Sequence, residues 1–103
     1  MNDLTNLAIR AVRCRRHWAW NDSMKAVDNM VQISARLPDF SDPDTVEELK
    51  KMVEKAHGTP IRVLKLSDGY GVFAEGTGGS ERCLSLSSGS RLEAIILALE
   101  GAQ

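Results

Sequence analysis

Apolar residues in the first half of the chain recur every three or four positions, which predicts helices. Leu4, Leu7, Ala8, Ala11, Cys14 and Trp18 share one face of a helix capped by Asn2 or Asp3. Arg10, Arg13, Arg16 and His17 lie opposite. Arg15 falls on the apolar face, so either this helix ends near Cys14 or the arginine lays its stem along apolar surface. "WNDSMKAVDNMVQISARL" predicts a second helix, capped by Asn21 or Asp22. Met24, Val27, Met30, Val31, Ser34 and Leu37 form its buried face, widened by Ala26 and Ile33, until Pro38 stops it. A third helix is predicted over 43–57, with Asp42 as cap, Pro43 in the first turn and Gly58 closing it. Val46, Leu49, Met52, Val53 and Ala56 make a narrow apolar stripe, and Glu47 and Lys51 pair outside.

The period then shortens to two. "IRVLKL" and "YGVFAE" predict two strands joined at Asp68-Gly69, a strong hairpin signal. "GTGGS" connects to "ERCLSL", a third strand expected to set Arg82, Leu84 and Leu86 on one face and Glu81, Cys83 and Ser85 on the other. Ser90 and Glu93 have the spacing of a capping box for a last helix that is apolar on two sides. Leu92, Ile95, Ile96 and Leu99 form one face; Leu97, with Ala94 and Ala98, points elsewhere. Such a helix is either sandwiched or used at an interface, and Leu97 predicts self-association. The expected fold is α+β: a three-stranded antiparallel sheet with helices packed on it, in the order α-α-α-β-β-β-α, as one domain over 1–103.

Composition narrows the function. The chain has 103 residues and a net charge of −1, which gives no global pull toward nucleic acid or acidic lipid. The charge is uneven: six basic against three acidic residues in 1–36, three against six in 37–58, and four against five in 59–103. The opening "MNDLTNLAIR" lacks the pattern of a signal peptide and no apolar run is long enough to span a bilayer, so a cytoplasmic setting with two free thiols is expected.

"RCRRHWAW", residues 13–20, is the most unusual run. Cys14 and His17 have the spacing of two zinc ligands, but Cys83 and His57, the remaining candidates, are isolated, so no metal or cofactor is expected. A Cys–His nucleophile needs the fold to bring such a pair together. The familiar hydrolase and metalloprotease motifs are missing, and the reading is non-enzymatic. "GTGGS" lacks the phosphate-loop pattern. Arg10, Arg13 and Arg16 on one helical face, with Trp18 or Trp20 to stack a base, offer nucleic-acid binding as the alternative function. The α-β-β-β-α order resembles double-stranded-RNA-binding domains in outline, but their basic loop before the final helix is reduced to Arg91. The same arginines suit a solvated helix face, and Trp with Arg also suits a protein hot spot. Trp18 is expected inside. Trp20 is either a hydrophobic staple or, if exposed, a docking residue. The acidic helix, with Glu47 and Glu48 among its carboxylates, is either a solvated face or an imitation of a phosphate track.

"WNDSMKAVDNMVQ", "GYGVFAE" and "CLSLSSGSRLEAIILALEGA" together resemble the small phage ABA sandwich domain proteins over about two-thirds of the chain. The matching residues are Trp20, Asp22, Ala26, Met30, Tyr70, Phe73, Ala94, Ile95, Ala98 and Leu99, and the helix at 43–57 is an addition. The resemblance implies a phage or prophage protein, with no catalytic residues to carry over. Small size and that origin suggest a protein that engages and inhibits a host protein, such as a defence component.

Overall fold

The computed structural model describes residues 3–27, 37–75 and 81–102. It is α+β, with three helices, a three-stranded antiparallel sheet and a two-stranded one: α1 (Asp3–Val12), β1 (Ala26–Val27), β2 (Leu37–Pro38), α2 (Pro43–His57), β3 (Ile61–Leu66), β4 (Gly69–Glu75), β5 (Glu81–Ser87) and α3 (Arg91–Gly101). The predicted second helix is therefore corrected at both ends. Ala26 pairs with Pro38 and Val27 with Leu37, antiparallel, and residues 28–36, including Met30, lie outside the described residues. Tertiary bonds overrode the helical period here. Lys25 N donates to the Thr45 hydroxyl and Asp39 N to Lys25 O, which draws the segment onto the start of α2.

α1 ends at Val12, so the choice posed by Arg15 falls to the shorter helix: a turn follows and Arg15 is exposed. Leu7, Ala8, Ala11 and Cys14 are buried as the wheel requires. α2 forms with the expected boundaries. Asp42 accepts from Thr45 N at 3.1 Å, Pro43 sits in the first turn, and Gly58 adopts φ 69 at the C-terminus. The predicted Glu47–Lys51 pair is corrected, since Lys51 bonds Glu48 instead, at 2.8 Å.

β3, β4 and β5 form a meander in that order. Leu66 pairs with Gly69, so the two loop residues are Ser67 and Asp68 rather than Asp68 and Gly69. No described non-glycine residue has a positive φ, so the mirror-image turn that Asp-Gly suggests does not form. The third strand carries a second correction. Val72 pairs with Ser85 but Phe73 with Cys83, which leaves Leu84 as a bulge. The expected alternation breaks: Ser85 and Ser87 turn toward α3, Leu84 packs beside the core, and Cys83 and Leu86 are exposed.

α3 lies across the sheet, with α1 and α2 packed against it, and is therefore sandwiched. Ala94, Ile95, Ile96, Ala98 and Leu99 are all fully buried. Each of the larger three contributes about 1.5–3 kcal/mol of apolar burial. Both histidines secure its last turns. His57 Nε2 donates to Ala98 O at 2.8 Å and His17 Nε2 to Ala102 O at 3.0 Å, so His17, expected on the outer side of α1 with the arginines, is half-buried.

Candidate functional site

α1 and the start of α3 run side by side and leave a groove of about 620 Å³ between them. Leu4, Leu7, Phe40 and Leu92 supply apolar walls. Leu4 is 37 % exposed, which puts a large apolar side chain at the rim. A volume of this size falls within the range of sites that hold small ligands or peptide side chains.

Arg10 and Glu93 line the polar side of the groove. Arg10 Nη2 donates to Glu100 Oε1 at 2.7 Å, Nε to Glu100 Oε2 at 3.3 Å, and Nη1 to Glu93 Oε2 at 3.2 Å. The capping box is only half made: Ser90 Oγ accepts from Glu93 N, but the Glu93 carboxylate turns to Arg10 and to Ser87, whose hydroxyl donates at 2.6 Å. That hydroxyl, followed by Arg10, holds the Glu93 carboxyl below its ordinary range against partial desolvation. The bond to Glu100 raises the pKa of Arg10 further, so the guanidinium stays charged. Arg10, Glu93 and Ser90 are already engaged, and the arrangement suits docking more than proton transfer.

The remaining sequence-derived residues scatter. Arg13 and Arg16 are exposed with Arg15 in the turn after α1, while Arg10, expected to face solvent with them, is turned inward. Trp20 is half-buried, its ring edge-on to Trp18 at 5.4 Å, and Trp18 in turn meets Phe40 at 6.4 Å. The indole Nε1 of Trp18 is buried with no hydrogen-bond partner among the described residues. Glu47 is exposed. Glu48 accepts from Asn21 and Lys51 and is held below its ordinary range, Lys51 first among the causes. Leu97 is half-buried on the α3 stripe that also carries Glu93 and Glu100.

Cys14 and His17 do not converge. The thiol, pushed up by burial, lies 3.5 Å from Arg10 O, and the imidazole turns to Ala102. Among the described residues no three His, Cys, Asp or Glu side chains gather where a metal ion could sit, and no helix is long and apolar enough to cross a membrane. Sequence reasoning missed Phe40, Glu93 and Glu100 as groove or clamp residues. Glu93 was visible only as a capping position, and nothing local marks Phe40 as the wall of a groove. No family model, no curated protein and no solved structure matches this chain.

Proposed function

We propose that this protein is a non-catalytic binding module whose α1–α3 groove receives an apolar segment of a partner protein. The observation that carries the reading is the groove itself: apolar walls, an exposed Leu4 at the rim, and an Arg10 and Glu93 already paired within the fold. Such a groove suits a helix or strand that inserts two or three apolar side chains. The resemblance of the sequence to small phage proteins supports a host or phage protein as that partner, with a defence component as one instance. A chain of this kind needs no cofactor.

Affinity capture from a host-cell lysate tests this. A partner retained by the wild type is expected to be lost with Leu4→Gln, a substitution at an exposed rim position, while the thermal melts overlap. Equal recovery with both chains sinks the groove as the working surface. Recovery of nucleic acid that is released by moderate salt supports the alternative function instead.

A further inference from the structure

No residue of the turn after α1 lines the groove. Residues 4–21 contain four arginines and no acidic residue. Arg10 is neutralised internally by Glu93 and Glu100. Arg13, Arg15 and Arg16 remain exposed, and none of them forms an ion pair among the described residues. Their backbone is braced. Arg13 N bonds Ile9 O, Arg15 N bonds Arg13 O, and the amides of His17 and Trp18 both bond the carbonyl of Cys14, whose side chain is buried beneath. His17 Nε2 ties the end of the turn to Ala102 of α3. Three guanidinium groups therefore stand on an ordered four-residue platform, which lowers the entropy cost of engaging them together.

We propose that Arg13, Arg15 and Arg16 bind a short acidic segment, rich in Asp and Glu, of the partner protein. Guanidinium forks match carboxylates in bidentate geometry, and three of them within one turn match two or three carboxylates on adjacent residues. The surroundings favour a short segment over a nucleic acid. Asn21 bonded to Glu48 places the acidic α2 beside this stretch, and residues 37–58 carry six acidic against three basic side chains. A long polyanion leaving the turn would run into that field. The proposal rests on the reading of the chain as a protein-binding module, but on different side chains.

The test titrates the full chain into a fluorescein-labelled deca-glutamate peptide and into a single-stranded RNA of about 20 nucleotides, at about 50 and 300 mM salt. The wild type is expected to bind the peptide, more weakly at the higher salt. The triple variant Arg13→Gln, Arg15→Gln, Arg16→Gln is expected to bind it about tenfold more weakly, each exposed pair contributing about two- to threefold. Should the triple variant fail to fold, the three single variants carry the same test at about two- to threefold each. Arg82→Gln with Arg91→Gln removes exposed arginines elsewhere and is expected to leave binding unchanged, as is Leu4→Gln in the groove; this last arm separates failure here from failure of the groove. No peptide binding at low salt, an equal loss in the Arg82/Arg91 variant, or RNA binding tighter than peptide binding through the same arginines would overturn the proposal.

Discussion

Arg10 and Glu100, ninety positions apart, are joined by a two-pronged bridge, Nη2 to Oε1 at 2.7 Å and Nε to Oε2 at 3.3 Å, with Glu93 taking the third nitrogen at 3.2 Å. One guanidinium thus fastens the first helix to two turns of the last. The side chains are about one-third exposed, which limits what each contact contributes. Arg10→Ala strands two carboxylates on one helical stripe, and a loss of about 1–2 kcal/mol in urea unfolding is expected. Arg10→Lys is expected to recover only part of it, because an ammonium cannot fork.

The Ser87 hydroxyl, and after it the bridge to Arg10, gives Glu93 an acid dependence. The folded-state pKa of Glu93 is depressed, so its contribution is present above the unfolded value and is lost as pH falls through the folded one. The loss therefore falls in the acid range, below the ordinary glutamate value of about 4.3. Stability measured from pH 6 down to about pH 3 is expected to fall less steeply in Glu93→Gln than in wild type. Identical slopes would show that Glu93 does not supply the linkage.

Gly58 and Gly69 should respond differently to the same substitution. Both have positive φ, 69 and 149. A Cβ on Gly58 meets nothing within 4 Å, so Gly58→Ala carries only the left-handed backbone cost, about 1 kcal/mol. A Cβ on Gly69 would stand 2.0 Å from Ser87 O and 2.8 Å from Ser88 Cα, both backbone. Gly69→Ala is therefore expected to cost more than about 3 kcal/mol, since β4 and β5 must separate to accept it. Comparable melting temperatures for the two variants would contradict this close approach.

Asp42 links the α2 terminus to the segment before it. Its carboxylate accepts from Thr45 N and from the Thr45 hydroxyl at 2.8 Å, and that hydroxyl in turn accepts from Lys25 N at 2.9 Å. Asp42→Ala is expected to cost about 1–2 kcal/mol, the upper part of the range for a lost cap. Thr45→Val, with the buried hydroxyl removed, is expected to speed amide exchange at Lys25 while α2 persists.

Leu97→Glu separates self-association from simple destabilisation. The new carboxylate would stand at i+4 from Glu93 and i−3 from Glu100, beside a guanidinium already shared by both. A stability loss of about 1–2 kcal/mol is expected. If Leu97 also mediates the proposed self-association, sedimentation of the wild type will show a dimer that the variant lacks. A wild type that sediments as a monomer removes that role.

The amino-acid order was enough wherever local chemistry and burial agreed. Asp42, Pro43 and Gly58 bracket α2 because a cap, a proline without N–H and a left-handed glycine act through neighbouring backbone alone. β3, β4 and the largely apolar α3 were legible for the same reason: short-range period and burial point one way. Where long-range partners competed, tertiary structure decided. The Thr45 hydroxyl and the Asp39 amide drew residues 25–27 out of a helical period into strand pairing. The Leu84 bulge broke the alternation of β5 and turned Ser85 and Ser87 toward α3, an outcome that depends on register with β4. Arg10 left the row of arginines for Glu93 and Glu100, and the groove arose from four apolar residues of α1, α3 and the turn at Phe40. Such contacts join residues tens of positions apart, and periodicity carries no information about which distant side chain will be within reach.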